Sequence, residues 1–426
     1  MDKIKSIWVL LSDDATLCCN EPKRLASAKK DFMSLELLTK IAERVVKQSW
    51  NCTIIGNATG IPKAYQTLSD KMGAIIVLPA EYKGTISNKH TTVVFELSQI
   101  GLAAKHSSAS RAILRVQRSH LSELSEMVLT LLHHFPDVSI KHPEVLSYDD
   151  QDMATYKDHL FEIGRWLLSK KNSWSNYRVD CLTDGFHLDT FAECGAGIKS
   201  LAVGPTGKLH ICPATVCEST SACGHIIADV ELPNRHLLTR EYSVPCGKCN
   251  ALHCSRCVYL NKRGTFEFGV PPKNICQLAN FELEVQAWFS QEAIKMDLWK
   301  QSYNIPQSPL VYDPYELVKV EETPPIVDSW RRLVRFDGHL ENLQTPMMLD
   351  IIHRLQGWCQ ALEACAEAGY IPSIELMEQD VLDSLRRRTI EQYRDMSFQK
   401  DCPTIREIEL LMCSVVLKSG NLLRNA

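Results

Sequence analysis

Ten of the chain's 17 cysteines fall between Cys181 and Cys276, and only three precede them. They crowd most in "CGKCNALHCSRC", residues 246–257, where four thiols follow a Cys-x2-Cys-x4-Cys-x2-Cys spacing. No other feature restricts the fold as much. Across residues 181–285 helical periodicity largely vanishes while Cys, Gly and Pro rise, so the segment offers too little apolar surface to fold on burial alone. Metal binding supplies folding free energy where apolar burial does not. In a reducing compartment such a group favours metal over disulfides. Thiolates are soft donors suited to zinc or to iron–sulfur clusters.

The rest of the chain is ordinary for a soluble protein. Of 426 residues, 45% are apolar, enough for a sizeable core and for two or three domains. The net charge is -4 and no Lys or Arg run stands out, which argues against nucleic acid as a partner. No apolar run approaches the ~18 residues of a membrane span. The start, "MDKIKSIWVLLSDDATLCC", is cut off by two aspartates and suits a first strand better than a signal peptide. These features predict a cytoplasmic protein with no membrane partner.

Residues 1–180 alternate between two periodicities. "SIWVLLS", "CTIIG", "GAIIVLP", "TTVVFELS", "RAILRVQR", "DVSIKH" and "YRVDCL" have strand character. Between them "SLELLTKIAERVVKQS", "AYQTLSDKM", "SHLSELSEMVLTLLHHF" with Ser119 as N-cap, and "DQDMATYKDHLFEIGRWLLSKK" predict helices. Strands alternating with helices imply a parallel α/β sheet, open or curved. "IKSLAVGPTGKLHIC" predicts a hairpin around "GPTG", and "NFELEVQAWFSQEAI" a helix. Residues 302–346 are Pro-rich and suit a linker or wrapping arm, and the end of the chain is helical in pattern.

Seven cysteines form one ordered pattern. Cys194 and Cys212 flank the hairpin as Cys-x12-Gly-x4-Cys, Cys246, Cys249, Cys254 and Cys257 follow, and Cys276 comes after 18 intervening residues. With the phrase "CGAGIKSLAVGPTGKLHICP" and the following "GHIIADV", this resembles the SPASM extension of radical SAM peptide-modifying enzymes. The resemblance implies a partial (β/α)6 TIM-type barrel over residues 1–180, a cluster-binding SPASM-like domain over 181–290, and a linker arm with a helical region over 291–426. It implies one or two auxiliary [4Fe–4S] clusters: Cys194, Cys212 and Cys257 would serve the first, and Cys246, Cys249, Cys254 and Cys276 the second. The middle block is one residue short in two gaps, and the fourth ligand of the first cluster stays open among Cys181, Cys217, Cys223 or none.

The barrel's cofactor signatures are absent. Where the family carries Cys-x3-Cys-x2-Cys after the first strand, this chain has "SDDATLCCNEPKR", with Cys18 and Cys19 adjacent. Neighbouring side chains on an extended chain point to opposite sides and cannot replace a three-point clamp. Where the family carries Gly-Gly-Glu, "IIGNATGIP" has no acid. The barrel is therefore a degenerate one, with no S-adenosylmethionine and no catalytic residues expected. The resemblance is to a catalytically silent partner of an active radical SAM enzyme, in a heterodimer that handles a Cys-containing precursor peptide. Within that family the CXXX-repeat peptide maturase group is the nearest suggestion.

Plainer readings stand beside these. A four-thiolate structural zinc site would make the chain an interaction protein with no peptide-modifying role, although the two Cys-x2-Cys pairs lie closer than in a zinc ribbon. Free thiols are a further alternative. Cys18 and Cys19 suit either ordinary loop thiols or a vestigial or new metal site. His210, His225 and His253 suit hydrogen bonding better than ligation.

Overall fold

The computed structural model describes residues 4–21, 31–86, 90–184, 188, 192–216, 222–228, 235–240, 246, 249, 251–265 and 268–298. The expectations for Cys217 and for residues 299–426 lie outside these.

The strands are β1 (Ser6–Leu10), β2 (Asn51–Ile55), β3 (Ile75–Pro79), β4 (Thr91–Phe95), β5 (Arg111–Arg115), β6 (Asp137–Lys141), β7 (Arg178–Val179), β8 (Ser200–Val203), β9 (Lys208–His210) and β10 (Ala222–His225). They form one sheet in the order β10-β9-β8-β1-β2-β3-β4-β5-β6-β7. From β1 to β7 every pair is parallel and every neighbour is the next strand in the chain. The chain is thus mixed α/β on a largely parallel sheet, with no switch point of the doubly wound kind among those seven strands.

Helices cross between the strands: α1 (Leu35–Gln48), α2 (Lys63–Lys71), α3 (Leu124–Leu132) and α4 (Asp150–Ser169). α1 forms where its sequence predicts. The Ser34 hydroxyl accepts from the Leu37 N–H at 3.2 Å, and Leu38, Ile41, Ala42 and Val45 make one buried stripe. That stripe packs on Ile7, Val9, Leu11 and Ile54 from one sheet face. The opposite face is covered without helices. There Leu10, Ile55, Val77, Val94, Ile113 and Ala202, one per strand, bury against Ala15 and Cys18 of the loop after β1. Burying each of these large aliphatic side chains contributes about 1.5–3 kcal/mol.

Three local expectations are corrected. Ser119 caps no helix. Arg118–Glu123 form a 3-10 turn before α3, with the Arg118 N–H donated to Glu144 at 2.7 Å and the Arg118 guanidinium on Asp152 at 2.6 Å. Tertiary partners on the next loop overrule the local cap. "YRVDCL" keeps only two strand residues, because the Asp180 carboxylate accepts from the Ile140 N–H at 3.0 Å and Asp180–Thr183 turn into a helical segment, α5. Helix also returns sooner than expected in the cysteine-rich segment, as α6 (Val258–Thr265) and α7 (Lys273–Lys295).

The hairpin forms as β8 and β9, antiparallel, with Gly207 at φ +86° in its turn. Local patterning did not show that β8 also pairs in parallel with β1, Ser6 opposite Ser200. That pairing sets Cys194, before β8, and Cys212, after β9, toward the end of the sheet where β1 begins. None of the described helices is long and apolar enough to cross a membrane.

Candidate metal centre

Cys194 enters the site just before β8. Its carbonyl accepts from the Ser200 hydroxyl at 2.9 Å. The next residues turn sharply: the Gly195 carbonyl accepts from the N–H groups of Ile198, Lys199 and Ser200. Gly195 sits at φ +66° and a Cβ there would stand 2.8 Å from that of Lys199, so only glycine fits. Cys212 leaves β9, and its carbonyl accepts from the Thr215 hydroxyl at 2.9 Å. Cys257 directly precedes α6, its carbonyl accepting from the Asn261 N–H at 2.9 Å. Arg256, one residue earlier, is held at φ +42°, a conformation that costs a non-glycine residue about 1–3 kcal/mol. Its guanidinium is held by Glu193 at 3.1 Å and by the Leu238 carbonyl.

The thiols collect in two groups. Cys212 lies within electrostatic reach of Cys257 and Cys194, and Cys257 within reach of Cys194. Cys254 lies within reach of Cys246 and Cys276. Cys249 follows Cys246 by three residues: its N–H bonds the Cys246 carbonyl at 3.2 Å, and Arg240 bridges both by donating to the carbonyls of Cys246 and Cys249. Cys276 lies in the first turn of α7, its N–H on the Pro272 carbonyl. Cys181 belongs to neither group by its partners, which are Glu282, Asp180, Tyr156 and Lys141. Cys223 packs among the apolar residues under α1.

The Ala251 N–H donates to the Cys249 sulfur at 3.4 Å. The backbone amides of Ala196, Ala214, Arg256 and Leu260 lie near the Cys194, Cys212, Cys254 and Cys257 sulfurs and act to lower their thiols. Donors aimed at sulfur favour the thiolate. Burial works against it. It pushes the Cys257 thiol up to about 12 and the Cys212 and Cys254 thiols well above their ordinary value. Cys194 is exposed, yet protein packed around its sulfur still raises its thiol. Buried sulfur with backbone donors aimed at it stays a thiol alone and becomes a thiolate once a metal supplies positive charge.

All donors in the two groups are sulfur, a chemistry that suits an iron–sulfur cluster as well as zinc. Among the described residues no three His, Cys, Asp or Glu side chains converge closely enough to hold one metal ion between them. Four thiolates on a tetrahedral zinc would stand about 3.8 Å apart, given a Zn–S bond near 2.3 Å. The three histidines do other work. His253 Nε2 meets Glu282 at 2.9 Å and His225 Nε2 meets the Thr206 carbonyl at 3.1 Å. His210 is buried, which drives its pKa down to about 4.

Several residues beside the site were not singled out in the sequence. Arg115, almost fully buried, donates from Nη1 to the Cys19 carbonyl at 2.7 Å and from Nη2 to the Glu21 carbonyl at 2.8 Å. Lys141 donates to Asp180 at 2.9 Å and to the Ser139 hydroxyl at 2.7 Å. Burial opposes charge on both partners, but their attraction wins, holding Lys141 above and Asp180 below the ordinary values. The Cys18 and Cys19 thiols are close enough to act on each other, and that proximity, with burial, raises the Cys19 thiol. In the second loop, the Asn57 side chain donates to Asp14 at 2.8 Å and Gly60 turns the chain at φ +83°.

No family model matches this chain, and no curated protein matches it. Two solved structures of Streptococcus suis SuiB are similar to it. SuiB bound to its precursor peptide SuiA gives a TM-score of 0.45 at 13% identity, covering 65% of this chain and 76% of that one. SuiB bound to S-adenosylmethionine gives 0.42 at 12% identity, covering 65% and 78%. Likeness at that level leaves the function to be argued from this chain's own residues.

Proposed function

We propose that the chain is a radical-SAM-like, SPASM-type iron–sulfur protein of ribosomal-peptide maturation. It acts in the cytoplasm as a catalytically silent subunit, binding one or two auxiliary [4Fe–4S] clusters while an active radical SAM partner modifies a Cys-containing peptide. Residues 1–180 form its degenerate barrel, 181–290 its cluster domain, and 291–426 an arm and helical region available to a partner. Cys194, Cys212 and Cys257 hold one cluster. Cys246, Cys249, Cys254 and Cys276 hold the other.

The observation that carries this reading is the sorting of the patterned cysteines into two all-sulfur neighbourhoods, Cys194 with Cys212 and Cys257, and Cys246 with Cys254 and Cys276. The unbroken parallel order of β1 to β7 agrees with a barrel sector. Silence is supported by the loop after β1, which offers two adjacent thiols in place of three spaced ones, and by the turn at Asn57–Gly60, which offers no acid of its own.

Oxygen-free purification tests the reading. A brown protein absorbing near ~400 nm, with iron and sulfide and no reductive cleavage of S-adenosylmethionine, is the expected result. Zinc alone in elemental analysis would replace it with a zinc-stapled interaction protein. Cleavage of S-adenosylmethionine by the isolated chain would remove the claim of silence.

A further inference from the structure

We propose that Cys246 and Cys249 are a redox-active dithiol, which closes to a disulfide when the chain is oxidised with no metal on these two sulfurs. The inference goes beyond the function proposed above and holds whether that metal is iron or zinc.

The two cysteines share one tight turn. In "CGKC" the Cys249 N–H donates to the Cys246 carbonyl at 3.2 Å. A turn closed in this way keeps its end Cα atoms within about 7 Å, and a disulfide spans ~4.4–6.8 Å. Groups other than sulfur fix the turn. Arg240 donates from Nε to the Cys246 carbonyl at 2.5 Å and from Nη2 to the Cys249 carbonyl. The Ala251 N–H donates to the Cys249 sulfur at 3.4 Å, and Cys249 packs against the buried cluster of Ala251, Ala279 and Leu283. Loss of a metal breaks none of these contacts. Both cysteines are only half-buried, so a small disulfide can reach them.

The second Cys-x2-Cys pair has the same spacing in a different setting. The Cys254 N–H goes to the Ala251 carbonyl at 3.0 Å, and the Cys257 carbonyl to the Asn261 N–H at 2.9 Å. Between them Arg256 is held at φ +42° by Glu193 and the Leu238 carbonyl. An unfolded chain closes two loops of equal length about equally, so only folded geometry can favour the first pair.

The oxidant is a small disulfide such as oxidised glutathione. One thiolate of the pair attacks it, forms a mixed disulfide and releases one glutathione thiolate. The other thiolate then attacks the protein sulfur of that mixed disulfide. The Cys246–Cys249 bond forms and the second glutathione leaves. The pair has given up two electrons and two protons, and two glutathione thiols have gained them. A closed pair offers no thiolate to a metal, so oxidation and metal loading exclude each other at these sulfurs.

The test strips the full chain of metal by chelation and equilibrates it in glutathione buffers of graded potential, both native and in guanidinium. Disulfides are mapped by differential alkylation and mass spectrometry. In the native chain the Cys246–Cys249 link is expected to exceed the Cys254–Cys257 link by about fivefold or more, the equivalent of a single hydrogen bond. In guanidinium the two links are expected to be about equal. Arg240→Met is expected to reduce the native preference. Wild type loaded with zinc, or with iron and sulfide, is expected to keep the pair reduced at potentials that close it in the metal-free chain. Equal native yields, or a preference for Cys254–Cys257, overturn the inference. So does a Cys246–Cys249 pair that stays reduced while other cysteines of the native chain are oxidised. Closure at the same potential in the loaded chain overturns the exclusion of metal by oxidation. Should Arg240→Met fail to fold, the native and denatured wild type decide between them. A wild type that binds no iron removes the cluster reading and leaves this comparison as it stands.

Discussion

His253 Nε2 lies 2.9 Å from the Glu282 carboxylate, and this pair ties the cysteine-rich segment to α7. The other Glu282 oxygen accepts from the Tyr156 hydroxyl of α4 at 2.7 Å. One buried acid thus joins three parts of the chain. Removing it strands two buried polar groups. Glu282→Ala is expected to lower stability by about 2–4 kcal/mol, against about 1 kcal/mol for Tyr156→Phe, which leaves His253 satisfied. Denaturant titration of the three proteins reads the difference. Equal losses would show that His253 contributes nothing through Glu282.

Arg115 holds the loop after β1 by two carbonyls, Cys19 and Glu21, with a guanidinium buried beside the Glu96 and Glu21 carboxylates. Two fixed donors at a set spacing are what a guanidinium offers and an ammonium does not. Arg115→Met is therefore expected to cost about 3 kcal/mol or more by leaving buried carboxylate uncompensated, and Arg115→Lys, which keeps the charge but cannot reach both carbonyls, about 1–3 kcal/mol through the unpaired carbonyl. Faster alkylation of Cys19 in both variants checks that the loop is released. Full rescue by lysine would show that charge alone suffices.

Much of this architecture was visible in the sequence where local physics decides. Ser34 before an apolar stripe of period 3.6 gave α1, and the strand patterns gave the parallel series. The "GPTG" turn gave β8 and β9 because Gly207 takes a φ that other residues avoid. What stayed hidden depends on distant partners. The pairing of β8 with β1 joins Ser200 to Ser6, and nothing in either strand announces it. A faint signal did exist for Arg115. In "RAILRVQR" the charged residues Arg111 and Arg115 stand at even spacing, on the same face as Ile113. The sequence shows that a charge faces inward there, but its partners lie more than 90 residues away. The helix α7 begins at Lys273 because Pro272 suits a helix start, a cue outweighed in the sequence by the surrounding cysteines.

Acid sensitivity follows from buried neutral histidines. Burial, and then the nearby Lys141 charge, lower the His142 pKa to about 3, and burial lowers that of His106. In the unfolded chain each titrates near ~6.5. Below that pH the unfolded state takes up protons that the folded state refuses, so stability is full above about pH 6.5 and drains as pH falls toward the folded pKa. The slope is up to ~1.4 kcal/mol per pH unit for each histidine. Melting temperatures measured from pH 7 to 5 should fall, and fall less steeply in His142→Gln. An unchanged slope in that variant would assign the acid sensitivity elsewhere.

The seat of α7 on α4 makes the final case, since α7 carries both Cys276 and Glu282. Gly164 of α4 faces Trp288 of α7, where an added Cβ would come within 2.7 Å of the indole and 3.4 Å of Phe289. The indole is not free to step aside, because it packs edge-on against Phe161 with ring centroids 4.9 Å apart. In an open helix, Gly→Ala stabilises by about 0.8–1.0 kcal/mol. Here overpacking costs about 1–3 kcal/mol, which outweighs that gain. Gly164→Ala is therefore expected to destabilise the protein by up to ~2 kcal/mol, and Trp288→Ala in the same chain should restore the favourable sign of the Gly164 substitution. A double-mutant cycle measured by denaturant titration reads the coupling directly. Additive effects would mean that α4 and α7 do not meet through these two residues.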